Sequence, residues 1–209
     1  GIGNGSTVLV GGFGNAGSPI QLLEGLIEQG ANDLTIVSNN AGEGEFGLAS
    51  LMAAGRVRKV ICSYPRSSGS VVFEQLFSEG KIDLEVVPQG TLSERMRAAG
   101  AGIGGFYTRT AAGTKLAEGK ETRNIKGDDY VLENPLPGDV ALIKADTADR
   151  WGNLTYNKSA RNFAPTMATA ARVCIAQVNK IVELGEIDPE HIITPGIYVQ
   201  RVIAIKDQS

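Results

Sequence analysis

Between Ser6 and Gly100 the chain alternates short β-branched runs with longer stretches of helical period, and this constrains the fold more than any other feature. The runs are STVLV (6–10), DLTIVS (33–38), RKVICS (58–63) and LEVVP (84–88). From Pro19 onward, Ile20, Leu23, Leu26 and Ile27 fall on one face at a 3.6-residue period, and Gly30 provides the stop. FGLASLMAAG (46–55), SVVFEQLFSEG (70–80) and TLSERMRAAG (91–100) end on glycine in the same way. Such alternation means βαβ units, so the expected class is α/β with a mostly parallel sheet flanked by helices.

After Ala101 the texture changes. AGIGGFYTRTAAGTK is glycine-rich and a polar stretch continues to Asp129, which reads as a loop or small hairpin excursion over residues 101–129. The chain is expected to return to the core at DYVLE and DVALIKA. Further strands follow at GNLTY (152–156), RVCIAQV and YVQRVIAI (198–205), with a helix near TMATAAR. At 209 residues and 42% hydrophobic content, with no linker or internal repeat, the chain is expected to form one domain over 1–209.

The formal net charge of −3 is not concentrated in runs, which argues against nucleic acid as a partner. No apolar stretch approaches the roughly 20 residues that span a bilayer, and residues 1–10 lack the pattern of a secretory leader. No membrane partner and a cytoplasmic location are the expectations. The chain opens at Gly1 without a Met, so preceding residues are expected to be missing or trimmed. Cys62 and Cys174 sit in apolar runs, and His191 stands alone in DPEHII. That composition gives no metal site; two buried thiols and a surface histidine are expected.

Chemistry concentrates in STVLVGGFGNAGSP, a strand, a glycine turn and a helix start, with Ser18 as the expected cap and Pro19 at the first helical position. Glycines let backbone approach a ligand, and a helix start offers free N–H groups and a positive dipole end. Gly12, Gly14 and Gly17 match the G-x-G-x-x-G spacing of dinucleotide-binding turns. That reading also needs an acid at the end of the next strand to hold ribose hydroxyls. The strand ends instead in Ser38-Asn39-Asn40, and Asp33 stands at its start. A nicotinamide enzyme is therefore disfavoured, while a purely structural turn stays open.

The whole segment is more specific than its core: Asn4-Gly5, then Gly11-Gly12-Phe13, Gly17 and Pro19. It resembles the signature of the family I CoA-transferases, in the alpha chain or half-chain that does not carry the nucleophile. The resemblance continues in SNNAG (38–42), GRVRKVICS (55–63), VVPQGTLSERMRAAGAGIGGFYT (86–108), RWGNLTYNKSARNF (150–163) and ELGEIDPEHIITPGIYVQRV (183–202).

The resemblance implies a CoA-transferase-type fold and transfer of CoA from succinyl-CoA to a 3-oxo acid. SNNAG and RWGNLTY lean towards 3-oxoadipate, with acetoacetate as the alternative. It implies a glutamyl-CoA thioester formed on a partner B subunit, assembly as a heterodimer or heterotetramer, and an active site at the interface between the two chains. No S-E-N-G-like motif occurs here, so no catalytic nucleophile is expected, and the chain alone is expected to be inactive. No cofactor is bound permanently; the CoA thioester is a substrate.

By matching positions, Gly11, Gly12, Phe13, Gly14, Asn15, Ala16 and Gly17 correspond to the CoA-associated turn, whose N–H groups would hold an oxygen of CoA or of the acyl group. Asn39, Asn40 and Gln89 correspond to substrate-binding positions, where neutral amides donate to a carboxylate without a fixed charge. The alternative is a helix cap or turn for Asn39-Asn40 and a turn residue for Gln89. Gly100 to Gly105 matches a segment near the site, or is a plain connection. Glu43 and Glu45 read as a solvated loop, and Arg161 and Asn162 as structural. Relatives carry FYTPTGYGT where this chain has FYTRTAAGT; Arg109 would either engage a second carboxylate or be exposed. A non-catalytic acyl-CoA or sugar-phosphate binding module is the second reading of the same scaffold.

Overall fold

A computed structural model describes residues 1–67 and 69–205. The first half is four strand-helix units: β1 (Thr7–Val10), α1 (Ile20–Gln29), β2 (Leu34–Asn40), α2 (Leu48–Ala53), β3 (Val57–Tyr64), α3 (Val71–Ser78), β4 (Asp83–Val86) and α4 (Gln89–Gly100). The excursion holds β5 (Phe106–Thr108), β6 (Thr122–Ile125) and β7 (Asp128–Glu133). The second half holds β8 (Gly138–Lys144), β9 (Thr147–Asp149), β10 (Leu154–Thr155), α5 (Ala164–Ala170), β11 (Ala171–Val178), β12 (Lys180–Val182) and β13 (Arg201–Ala204).

Seven strands form one sheet in the order β13-β11-β8-β1-β2-β3-β4, with every pairing parallel. The chain leaves β1 towards β4 and later builds away from β1 on its other side through β8. The order therefore reverses beside β1, and ligands of open α/β sheets sit above the strand carboxyl ends at such a point. Val8, Leu9 and Val10 are all fully or nearly fully buried, as a central parallel strand covered on both faces requires. Val8 and Val10 pack with Leu23 and Leu26 of α1, Leu51 of α2 and Phe73 of α3, whereas Leu9 packs with Leu92 and Met96 of α4 and Met167 of α5. Each fully buried Leu or Phe of this kind contributes about 1.5–3 kcal/mol.

Local signals set most boundaries, with two adjustments. Gly30 ends α1 in the left-handed conformation, φ 90°, its N–H donating to Leu26 O. At the other end Pro19 is the N-cap itself and the Ser18 side chain does not cap; the Ser18 N–H donates back to Asn15 O, so the glycine turn absorbs the residue that was expected to open the helix. Helix α4 begins at Gln89, two residues ahead of TLSERMRAAG, because Pro88 supplies a fixed φ at the N-cap.

The excursion is a three-stranded antiparallel sheet, β5-β7-β6, and it keeps DYVLE as its central strand instead of returning it to the main sheet. Glu133 anchors it: its carboxylate is almost fully buried and bonded to Lys120 at 2.6 Å, with Arg95 of α4 at 3.9 Å. Arg95 also pairs with Glu85, which Lys59 holds from the other side. Burial would raise the Glu85 carboxyl, but the bonds from Lys59 and Arg95 outweigh it and hold the group below its usual value. GNLTY shrinks to the two-residue β10, and the last strand begins only at Arg201, after a 3₁₀ turn at Gly196–Tyr198. Among the described residues no helix is long and apolar enough to cross a membrane.

Both thiols are buried in β3 and β11, and burial pushes each up to about 12. Thiolate is the reactive form. Iodoacetamide at pH 8 is therefore expected to leave Cys62 and Cys174 unmodified in the native chain and to label both after denaturation. Prompt labelling of the folded chain, read by intact mass, would contradict this packing.

Candidate functional site

The carboxyl ends of β1, β2 and β3 open into a crevice of about 460 Å³ lined by Phe13, Gly14, Asn39, Asn40, Glu43, Ser63, Tyr64 and Gln89. A narrow inner recess continues from it past Val10, Gly11, Gly12, Asn15, Ser18 and Phe46. Phe13, Phe46 and Tyr64 leave about half their surface or more exposed at its rim. The described lining residues include no Lys or Arg, so an anion here meets neutral donors beside the carboxylate of Glu43.

Phe13 and Ala16 exchange two backbone hydrogen bonds, of 3.0 and 3.2 Å, around Gly14 and Asn15, which makes the glycine turn a tight hairpin. The Gly11 N–H donates to Leu142 O and the Gly12 N–H to Asn162 Oδ1. Four of the seven N–H groups expected to face a ligand are thus committed inside the protein. Of the seven, Gly14, Asn15 and Gly17 have no acceptor among the described residues. Gly14 lines the crevice and Asn15 its inner recess. Gly17 instead lines a neighbouring cleft with Lys144, Tyr156 and Ala160, and Ala16 lines neither.

At the end of β2, Asn39 is 4% exposed and accepts at Oδ1 from Gln89 Nε2 at 2.7 Å and Ser63 Oγ at 2.9 Å. Three strand-to-helix junctions converge here: β2 supplies Asn39, β3 supplies Ser63, and the first turn of α4 supplies Gln89. With Oδ1 saturated by two donors, the Asn39 Nδ2 group is the polar atom left for the crevice. Asn40 accepts from the Gly42 N–H at 3.0 Å, closing the turn into the α2 segment, and keeps its own NH₂. Asn39, Asn40 and Gln89 therefore hold local bonds and line the cavity as well. Ser63 was missed because a lone serine at a strand end carries no spacing signal.

Asn162, read from the sequence as structural, makes contacts that tie the glycine turn to the chain ahead of α5. Its side chain accepts from Gly12 and donates to Ala16 O and Ala160 O. Of the other positions singled out in the sequence, only Glu43 lines the crevice. Arg109 is exposed and paired with Asp128 at 3.0 Å in the excursion. Gly100 ends α4, whose twelve residues carry the chain roughly 17 Å from Gln89; it faces Thr169 of α5 and does not line the crevice. Of the two loop acids, Glu43 lines the crevice and Glu45 does not. His191 is exposed, 3.8 Å from Asp188. No cluster of three or more His, Cys, Asp and Glu side chains suited to a metal ion occurs among the described residues.

A strand, glycine turn and amide cluster with no acid at the end of β2 suits a carbonyl or carboxylate ligand better than a ribose. Known proteins point the same way. A family model described as coenzyme A transferase matches residues 1–204. A protein of Pseudomonas putida, named as the A subunit of 3-oxoadipate CoA-transferase, is 66% identical over 98% of this chain and 89% of its own length. A protein of Xanthomonas campestris pv. campestris (strain B100), named as the A subunit of succinyl-CoA:3-ketoacid coenzyme A transferase, is 51% identical over 97% of this chain and 83% of its own. Among solved structures, an acyl-CoA transferase of Escherichia coli O157:H7, in a thioester complex with CoA, matches with a TM-score of 0.89 at 23% identity. It covers all of this chain, which spans about half (48%) of the other, and the likeness is one of fold.

Proposed function

The chain belongs to the coenzyme A transferase family, and from that premise we propose that it is the A subunit of a two-chain enzyme moving CoA from succinyl-CoA to 3-oxoadipate. The observation that carries the substrate choice is the 66% identity, over nearly the full chain, to a relative named for that acid. A 3-oxo acid in the wider sense, including acetoacetate, is the second reading, favoured by the 51% identical relative named for 3-ketoacids.

In the proposed mechanism a glutamate carboxylate of the B subunit attacks the succinyl-CoA carbonyl and expels CoA thiolate. The thiolate then attacks the glutamyl carbonyl of the resulting anhydride, releasing succinate and leaving a glutamyl-CoA thioester; the same steps in reverse pass CoA to the carboxylate of the 3-oxo acid, in ping-pong order. Each displacement at a carbonyl carbon places negative charge on oxygen. This chain contributes fixed donors for that charge: the Asn39 and Asn40 amides, Gln89 and the free N–H groups of Gly14 and Asn15. Such donors stabilise a developing oxyanion because they need no reorientation when the charge appears. Neutral amides also supply no proton that would quench the attacking carboxylate. Since Arg109 is held by Asp128 outside the crevice, a second carboxylate would be met by amides or by the partner. Phe13, Phe46 and Tyr64 form the apolar rim against which the B subunit would close, excluding water from the thioester. A cytoplasmic location is part of the proposal; two free buried thiols fit a reducing compartment.

Assay of the purified chain with succinyl-CoA and 3-oxoadipate, with and without its B subunit, tests the reading. Transfer is expected only from the pair, with kcat/KM for 3-oxoadipate above that for acetoacetate. Transfer by this chain alone would overturn the division of labour, and a preference for acetoacetate would overturn the substrate.

A further inference from the structure

Asn162 lies 150 residues from Gly12 in sequence and touches the glycine turn at both ends. Oδ1 accepts from the Gly12 N–H at 3.0 Å, where the chain enters the turn, and from the Phe163 N–H at 2.7 Å. Nδ2 donates to Ala16 O at 3.0 Å, where the chain leaves it, and to Ala160 O at 2.9 Å. The backbone of Asn162 is at φ 29°, ψ −120°, a region that glycine occupies without cost and a side chain does not. Local propensity would place glycine here. A residue that keeps a side chain in such a conformation holds strain that its contacts must offset, and strain of this kind clusters at functional sites.

We propose that Asn162 is a positioning residue for the reaction: its amide clamps both stems of the hairpin at Phe13–Ala16, so that the Gly14 and Asn15 N–H groups are held towards the crevice before substrate arrives. The clamp also explains the lack of room around it. A Cβ at Gly17 would fall 2.6 Å from Asn162 Nδ2 and 2.2 Å from Ala160 O, so turn and clamp leave no space between them. The inference rests on the CoA-transferase reading for its catalytic consequence, while the clamp itself is a property of this chain.

The decisive variant is Asn162→Gly, which relieves the backbone while removing the amide. In the reconstituted pair, kcat for CoA transfer is expected to fall about tenfold or more, while Tm stays at or above that of the wild type. In the isolated chain, hydrogen exchange at the Gly12 amide is expected to accelerate, with Leu9 and Val37 in the sheet unchanged. Asn162→Asp keeps an acceptor for Gly12 but sets a carboxylate against two carbonyl oxygens, and is expected to lose transfer too. Wild-type kcat in either variant, an unaltered Gly12 exchange rate in Asn162→Gly, or a loss of Tm large enough to account for the lost activity would overturn the proposal. If the wild-type pair itself transfers no CoA, the functional reading fails and the exchange rates alone decide the clamp.

Discussion

Gly17→Ala is expected to abolish CoA transfer by the reconstituted pair and to destabilise this chain by about 2–5 kcal/mol. Two costs combine. Gly17 has φ +74°, a left-handed conformation that costs an L side chain about 1–2 kcal/mol. A methyl group there would also lie 2.2 Å from the Ala160 carbonyl oxygen and 2.6 Å from Asn162 Nδ2, and the nearer of these is backbone with little freedom to retreat. Relief requires either the glycine turn or the Ala160–Asn162 segment to move, and both carry the site. Gly14→Ala is the matched control, since Gly14 also has positive φ but its added Cβ meets nothing within 4 Å. Denaturation midpoints of the two variants measure the difference. Equal stability would show that the contact at Gly17 yields at no cost.

Asn39→Ala is expected to lower kcat of the pair by about 10²–10³-fold, the usual consequence of losing one fixed donor at a developing oxyanion. The expected cost in stability is smaller, about 1–2 kcal/mol, because Ser63 Oγ still reaches the Asn39 main-chain oxygen at 3.0 Å. The large effect on rate has two sources. Nδ2 is lost from the crevice, and Gln89 loses the 2.7 Å acceptor that aims its amide. Asn39→Asp separates them: the carboxylate still accepts from Ser63 and Gln89 but turns an acceptor with negative charge towards the substrate. Comparable inactivity of Asp and Ala variants, with near-normal melting of the Asp variant, identifies the donor as the essential part. An active Asp variant would remove Asn39 from the site.

The glycine turn shows how far local pattern carries. Its position between a buried strand and an amphipathic helix follows from TVLV, the glycines and Leu23–Leu26, because burial period and backbone freedom are properties of neighbouring residues. Which of its N–H groups stay free does not follow. That depends on Leu142, Asn162 and the Phe13–Ala16 pairing, and two of these partners are more than a hundred residues away. The same limit explains DYVLE. Its apolar alternation marks a strand correctly, but a strand's own residues do not state which sheet it joins, and the buried Glu133 with Lys120 and Arg95 holds it to the small one.

The sequence by itself determined the α/β class, the succession of strand and helix up to α4, the glycine turn, the amides in place of a ribose-binding acid, and the family. All of these are written within short windows, as periods, breakers and motif spacing. Only the tertiary structure decided that Asn39, Ser63 and Gln89 meet, that Arg109 stays outside the crevice, and that Asn162 holds the turn. The long-range contacts of the site join residues from 24 to 150 positions apart. Those among Asn39, Ser63 and Gln89 exist because parallel pairing brings the carboxyl ends of β2, β3 and β4 to one edge of the sheet.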